Sequence, residues 1–207
     1  MDNQTVIINY GMGNIFSVRK VIERLGFSCK ISSSYEDIQK AGRIILPGVG
    51  HFGKVMQNLQ EAHLIETLQE AVQVKKIPVL GICLGMQLMA AHSEEGDVAG
   101  LGWFDANVIK FRINNPSIYK VPHMGWNTLT HEQPDSPTLK NLNIEEGFYF
   151  VHSYHIVPNH ATDILSHTSY EYLFVSALEK ENITGVQFHP EKSHRAGEQL
   201  IKNFLKK

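Results

Sequence analysis

Two short segments carry residue types that can do covalent chemistry. Gly81-Ile82-Cys83-Leu84-Gly85 sets a cysteine between glycines two positions away on either side. This is a G-x-C-x-G version of the nucleophile elbow, a tight strand-to-helix turn that lifts one side chain above a sheet edge. The glycines remove side chains that would collide at such a turn. A helix starting there aims backbone N–H groups and a positive dipole end at the sulfur, which favours thiolate. Taken alone, the motif reads equally well as a buried cysteine between packing glycines. His189-Pro190-Glu191 shifts the balance. Residues two apart point to the same side of an extended segment. A histidine in reach of a cysteine can take its proton, and a carboxylate on the far ring nitrogen fixes the tautomer and stabilises the imidazolium. An unperturbed thiol, with pKa ~8.5, is only a few per cent thiolate at neutral pH, and an ion pair with histidine removes that limit. His189 alone reads as a surface histidine and Glu191 alone as a helix-start acid; beside the elbow, the three read as a catalytic set.

A thiolate attacking a carbonyl needs donors for the oxyanion. The backbone N–H of Leu84, next after the nucleophile, is one candidate. The glycine loop Pro47-Gly48-Val49-Gly50 offers Val49 and Gly50 as the others, although such glycines also make ordinary β-to-α turns. Losing one such donor costs roughly 3–4 kcal/mol of barrier stabilisation. Cys29, in a strand-like run, reads as a small core residue.

The elements that must position these groups follow from the apolar pattern. Thr5 to Asn9 reads as a buried strand ending in Tyr10-Gly11-Met12-Gly13. Asn14 is then a helix N-cap, Val18, Val21, Ile22 and Leu25 follow at helical spacing, and Gly26 suits the stop. Further strands are expected near Ser28 to Ser32, Arg43 to Leu46 and Pro78 to Ile82. Helical patterns are expected from about Phe52 to Lys75 and from Leu84 to Ala91. This alternation implies a mostly parallel sheet covered by helices on both faces. The second half changes character. Trp103 to Phe111, Val121 to Thr130, Phe148 to Ser153, Ile164 to Ser169, Tyr172 to Leu178 and Ile183 to Phe188 all read as strands. A closing helix puts Leu200, Ile201, Phe204 and Leu205 on one face. The turn-rich span Arg112 to Ser117 is the expected mobile loop. The expectation is one α/β domain spanning 1–207, with an antiparallel β portion in its second half.

The whole-chain properties narrow the function classes. The 207 residues are 43% apolar and 19% charged with a formal charge of -2, and the pI is near 6.6. This balance gives no electrostatic reason to expect nucleic acid or an anionic membrane surface. Two cysteines do not make a disulfide framework in a domain this large. Met1-Asp2-Asn3-Gln4 lacks a signal-peptide layout, and no apolar run approaches a membrane span, so a cytoplasmic protein is expected. Neither a metal nor a cofactor is expected. His152-x-x-His155 has ligand residues, but on a strand that spacing sends them to opposite faces, and no zinc-type cluster accompanies it. Gly11-x-Gly13 lacks the third glycine of a dinucleotide fingerprint, because Phe16 stands there.

Gly81-Ile-Cys-Leu-Gly-Met-Gln87 and Gly185-Val-Gln-Phe-His-Pro-Glu191 resemble the two motifs of the class I glutamine amidotransferases, in the same order and separation. The flavodoxin-like fold of that family is thereby implied. Asn9-Tyr-Gly-Met-Gly-Asn14, Pro47-Gly-Val-Gly-His-Phe-Gly53, Pro122-His-Met-Gly-Trp-Asn127 and Phe150-Val-His-Ser-Tyr154 are similar to the glutaminase subunits of imidazole glycerol phosphate synthases, which serve histidine biosynthesis. The resemblance implies that Cys83 is the nucleophile, His189 the general acid/base and Glu191 its orienter. It implies that L-glutamine is held by Gly50, Gln87, Glu95, His152, Ser153 and Tyr154, with Glu95 binding the substrate ammonium. It also implies a heterodimer with a (β/α)8-barrel cyclase subunit that receives the ammonia through an internal channel. The docking face would then be Asn14, Met124, Trp126, Tyr149 and Lys192. Without the resemblance, Gln87 is a polar residue one turn after Cys83, Glu95 is a solvated acid and Trp126 is core packing.

Some features lean elsewhere within the family. Gly102-Trp103, the stretch Phe111 to Lys120, Tyr154-His155 and Ser193-His194-Arg195 suit a paralogous glutaminase supplying ammonia to amidinate a surface-polysaccharide sugar. A non-catalytic regulatory subunit is the remaining alternative, and the intact Cys83, His189 and Glu191 argue against it.

Overall fold

A computed structural model describes residues 4–207, so most of the N-terminal segment weighed as a signal sequence (Met1 to Asn3) lies outside the described residues. The first half runs β1 (Thr5–Ile8), α1 (Ile15–Arg24), β2 (Cys29–Ser32), α2 (Tyr35–Gln39), β3 (Arg43–Gly48), α3 (Phe52–Glu61), α4 (Leu64–Gln69), β4 (Val79–Cys83) and α5 (Leu84–Gln87). Every residue of β1, β3 and β4 is buried, as strands covered on both faces require. Helix α1 buries Val18, Val21 and Ile22 on one stripe. It stops as the sequence suggests. Gly26 adopts φ +82°, its N–H reaches the Glu23 carbonyl and the Phe27 N–H reaches that of Ile22, a Schellman closure.

The second half adds the two-residue strands β5 (His92–Ser93) and β6 (Val98–Ala99). Then come β7 (Ala106–Lys110), β8 (His123–Asn127), β9 (Thr130–His131), β10 (Phe148–His152) and β11 (Tyr154–Pro158). The chain ends with β12 (Ile164–Tyr170), β13 (Tyr172–Lys180), β14 (Ile183–Val186) and α6 (His194–Phe204). The main sheet has the order β2-β1-β3-β4-β14-β13-β12-β9. Its first five strands pair in parallel and its last three antiparallel. One core layer packs α1 and α6 on it through Ile22, Leu200, Ile201 and Phe204. The other packs α3 and α4 on it through Phe52, Val55, Leu59 and Leu68. The expected α/β architecture with an antiparallel second half is what the chain adopts.

Four local expectations are corrected. The helix expected to reach Ala91 ends at Gln87, because the carbonyls of Leu88, Met89 and Ala90 accept from Leu101, Trp103 and Gly102 instead of continuing a helix. The helical stretch from Phe52 to Lys75 is broken at His63, whose φ is +53°, and its last turn, Glu70–Val74, widens to a π-helix. The run expected as one strand from Trp103 begins only at Ala106. The span 112–117 is tied down rather than free. Glu171 accepts from the Asn114 and Asn115 N–H groups at 2.8 Å each, and Arg112 pairs with Glu94 at 2.8 Å. Among the described residues, no helix is long and apolar enough to cross a membrane.

This topology brings the chemistry to one edge. Gly48 at the end of β3 is registered with Cys83 at the end of β4, and β14 lies on β4's other side, with Val186 beside Ile82. The chain leaving β14 therefore delivers His189 to the carboxyl edge on which Cys83 stands, where open parallel sheets bind ligands. The close approach at the elbow is severe. A Cβ on Gly85 would lie 1.8 Å from the Leu46 carbonyl oxygen, which is backbone that cannot swing away. Gly85→Ala is expected to cost about 3 kcal/mol or more, lowering Tm by roughly 6–12 °C in a thermal unfolding scan. Gly102→Ala sets the comparison: it has φ +68° but nothing within 4 Å of the added carbon, so it should cost only the conformational term, about 1–2 kcal/mol. Equal losses for the two would show that crowding at the elbow is not what demands glycine.

Candidate active site

Cys83 has φ +54° and ψ −110°. A β-carbon residue held in such a conformation stores about 1–3 kcal/mol of strain and persists only where the surroundings impose it. Here β4 ends at the cysteine and α5 begins immediately after it, so the side chain is thrust over the strand ends. The four-residue α5 contributes its N–H groups but little of the dipole that a longer helix would supply.

Above the sulfur lies a cleft of about 310 Å³, at the small end of the range for ligand sites. Cys83, Leu84, His189, Val49 and Gly50 line it, and so do Gln87, Glu95, His152, Ser153 and Tyr154. Every residue named from the sequence for the oxyanion and the glutamine thus borders one space. Pro122 and Val151 border it too; both lie in motifs that carry the family resemblance, but neither is among the site residues expected from the sequence.

His189 is almost wholly buried and its Nδ1 lies 2.9 Å from Glu191 Oε1, whose side chain is also fully enclosed. Burial disfavours the charged ring, but the adjoining Cys83 sulfur and the Glu191 carboxylate outweigh it, raising the imidazole pKa to about 10. Glu191 is pushed up by burial and pulled down further by His189 and Asn14, with a net lowering. Both shifts describe an imidazolium–carboxylate pair. His189 Nε2 has no aligned hydrogen-bond partner, although the sulfur is near enough to bias the ring's charge. Such contacts commonly tighten only when substrate is present. Gln187, unforeseen as a site residue, donates its side-chain N–H to the sulfur at 3.7 Å and accepts from Gln87 Nε2 at 2.9 Å. It stands two before His189, just past the end of β14. The extended alternation expected to pair His189 with Glu191 is not what joins them, because Pro190–Lys192 closes into a 3-10 turn with His189 at its N-cap.

Asn14 holds the N-cap position, but its side chain does not cap α1. It donates instead to Glu191 Oε1 at 2.9 Å, across 177 residues of sequence. Gln87 is buried and also donates to the Tyr154 carbonyl at 2.9 Å. Glu95 is not a free solvated acid: its Oε2 accepts the Phe52 N–H at the start of α3, at 2.8 Å. Tyr10, also unforeseen, is buried and donates its hydroxyl to the Pro47 carbonyl, fixing the start of the glycine loop. Burial, and then the nearby Cys83, push its phenol well above the usual range. Met12 packs its methyl against Gly50, whose φ is +106°.

The expectation that His152 and His155 point to opposite faces fails, because the strand ends between them. β10 stops at His152 and pairs with β8, whereas β11 starts at Tyr154 and pairs with β7. Both rings therefore meet Phe111, with centroids 5.2 and 4.8 Å away. Among the described residues no group of His, Cys, Asp or Glu is arranged to hold a metal ion.

Beside His189 the surface is aromatic and open. Met124 and Trp126 are 62% and 48% exposed, so Trp126 is not core packing. Trp126 stacks on His194 at 4.8 Å and lies 6.1 Å from Tyr149, over whose ring Lys192 sits at 5.5 Å. Tyr149 in turn is 6.4 Å from the His189 ring. Of the five residues expected at a docking face, Asn14 binds Glu191, Tyr149 lies beside His189, and Lys192 and Trp126 pack on Tyr149, while Met124 is exposed on the same strand as Trp126. His194, stacked on Trp126, is an addition.

The model of the "Glutamine amidotransferase class-I" family matches residues 6–207. The chain is 46% identical over 200 residues to "Imidazole glycerol phosphate synthase subunit HisH 2" of Pseudomonas aeruginosa, covering 97% of this chain and 98% of that protein. It is 47% identical over 200 residues, with the same coverage, to the protein of the same name from Methanococcus maripaludis. Among solved structures, that of PurLQS from Thermotoga maritima superposes with a TM-score of 0.74 over 100% of this chain and 99% of that one, at 17% identity.

Proposed function

Because the chain belongs to the class I glutamine amidotransferases, we propose that it is the glutaminase subunit of an imidazole glycerol phosphate synthase. It hydrolyses L-glutamine and passes the ammonia to a (β/α)8-barrel cyclase subunit in histidine biosynthesis. Relatives bearing that name match nearly the full chain at 46–47% identity. What carries the chemical part is a single cleft shared by Cys83, His189 and the Val49–Gly50 loop. The whole chain acts as one amidotransferase unit. A nucleophile that works as free thiolate belongs in a reducing compartment, so the cytoplasm is the setting proposed.

In the mechanism, Cys83 Sγ attacks the side-chain amide carbon of glutamine. The negative charge forming on the amide oxygen is received by the Leu84 N–H and by the glycine loop at Val49 and Gly50. His189, charged beside Glu191, gives its Nε2 proton to the departing ammonia, leaving a γ-glutamyl thioester. A water molecule then attacks the thioester with His189 as base, and glutamate leaves with the sulfur restored. Glu191 holds the Nδ1–H tautomer that this cycle needs. Gln87, Glu95 and the His152–Tyr154 backbone hold the substrate's amino acid end. The exposed Trp126, with Met124, Tyr149, Lys192 and Asn14 around it, forms the docking face, as expected of aromatic anchors at interface centres.

Expression of the chain, together with the barrel subunit it co-purifies with, is expected to restore growth without histidine to a strain lacking its own histidine-pathway glutaminase. Retained glutamine hydrolysis without growth would favour the second reading, supply of ammonia to a sugar-amidinating synthase. The features behind that reading are Gly102-Trp103, Ser193-His194-Arg195, the buried His155 after Tyr154, and the stretch Phe111 to Lys120, where Glu171 accepts from the Asn114 and Asn115 N–H groups.

A further inference from the structure

Three histidines outside the catalytic pair are buried together: His123, His152 and His155. His155 Nε2 lies 3.0 Å from the Tyr172 hydroxyl, and the residue does not border the cleft. The other two form a directed chain whose proton positions the contacts determine. His152 Nδ1 lies 2.8 Å from the Tyr154 carbonyl oxygen, which can only accept, so Nδ1 carries the proton. Burial disfavours the charged form of both rings, so each carries a single N–H. His152 Nε2 is then an acceptor, and the nitrogen 3.1 Å from it, His123 Nδ1, must donate. That leaves His123 Nε2 as an acceptor, facing Asn127 Nδ2 at 3.5 Å. The Asn127 amide is oriented for this, because the same nitrogen donates to the Ser169 carbonyl at 2.9 Å and its oxygen accepts the Thr128 N–H at 2.9 Å.

We propose that His123 is a positioning residue for glutamine binding: held by Asn127, it orients His152, which fixes the Tyr154 carbonyl against the amide of Gln87 on the wall of the cleft. The inference rests on the glutaminase reading above. The Tyr154 carbonyl is the point of convergence, since it accepts from both His152 Nδ1 and Gln87 Nε2. His123 itself does not border the cleft and cannot touch substrate. It is set by cross-strand pairing of β8 with β10, where it stands opposite His152. Its ring is clamped by Tyr170, 4.1 Å away, and Phe150, 4.9 Å away. Removing its N–H would leave His152 Nε2 buried and unpaired, and the ring would turn to recover a partner. The Tyr154 carbonyl would then lose one of its two side-chain donors and keep only Gln87.

The test uses the complex with the barrel subunit. His123→Leu removes the donor, whereas His123→Asn can place an amide N–H where Nδ1 was. The Leu variant is expected to raise the KM for glutamine about tenfold, with kcat within a few-fold and ammonia-dependent synthesis unchanged; the Asn variant is expected to recover most of the KM. A KM unchanged by Leu, or raised equally by Leu and Asn, overturns the assignment. Should the Leu variant not fold, 15N spectra of histidine-labelled wild-type protein decide: both His123 and His152 are expected as Nδ1–H tautomers, and a His152 protonated on Nε2 overturns the relay. Wild-type complex that hydrolyses no glutamine would instead sink the glutaminase reading, a separate failure.

Discussion

Cys83→Ala is expected to abolish glutamine-dependent synthesis, by about 10⁴-fold or more, while leaving synthesis from added ammonia within a few-fold of wild type. The size follows from the role. The sulfur forms the bond that splits amide hydrolysis into two easier steps, and no neighbouring group can replace it: Gln187 is an amide, and Tyr10 has its hydroxyl committed to Pro47 with a pKa pushed above the ordinary phenol value by burial. The sparing of the ammonia reaction follows from location. Cys83 is buried beneath its own cleft, and the exposed Met124 and Trp126 lie on strand β8, so losing one sulfur atom leaves the docking face intact. Alanine keeps the β-carbon and costs little packing, although the strained φ of +54° remains to be held. Steady-state assays with each nitrogen donor check both halves. Residual glutamine use above about one per cent would remove Cys83 from the role of nucleophile. A parallel loss with ammonia would mean that the substitution had damaged the complex rather than the chemistry.

Much of this site was legible in the amino-acid order because its requirements are local. The elbow needs glycine at 81 and 85 for reasons that the backbone imposes, and a Cβ on either would overlap backbone atoms. His189 and Glu191 are near enough in sequence for their contact to be local, although a 3-10 turn at Pro190–Lys192 makes it and not the extended alternation expected. Buried parallel strands announce themselves as unbroken apolar runs, as in Ile44-Ile45-Leu46. What was not legible depends on partners far along the chain. Asn14 has the residue type of a helix cap and the position of one, yet Glu191 competes for its amide and wins, because a buried carboxylate gains more from a donor than a half-exposed helix end does. β5 and β6 are two residues long and have no period to read; the pairing of β5 with β7 and of β6 with β5 makes them strands. The helical pattern past Gln87 was real, but the Met89 and Ala90 carbonyls accept from N–H groups on the 100–104 turn, which sequence periodicity cannot foresee. The bend at Ser153, which turns His152 and His155 onto one aromatic ring, is likewise a consequence of two sheets meeting.

Glu191→Gln is expected to lower the glutaminase kcat by roughly 10³–10⁴-fold with a small change in KM, the effect of losing the tautomer-fixing carboxylate in a histidine-based catalytic set. The KM is spared because Glu191 does not border the cleft and stands behind His189. Two changes act together. The charge that offsets imidazole burial disappears, and an amide brings N–H groups to a place where Glu191 Oε2 has no partner. To satisfy them the amide can turn its nitrogen toward His189 Nδ1, which then accepts, and the ring proton moves to the nitrogen facing Cys83. The pH dependence has a definite sign. His189 is raised to about 10 in the folded protein, from about 6.5 in an unfolded chain. The stability from its charged form is therefore fully present below about pH 6.5 and is lost as pH rises towards 10. In Glu191→Gln the imidazole pKa falls part of the way, since the sulfur's share of the elevation remains. The stability gap between wild type and variant should accordingly be widest near pH 6 and narrow towards pH 10. Thermal unfolding at both pH values, with an NMR titration of the His189 ring, reads this out. A wild-type ring titrating near 6.5, or a variant that keeps its kcat, would mean that Glu191 is packed against His189 without governing its proton.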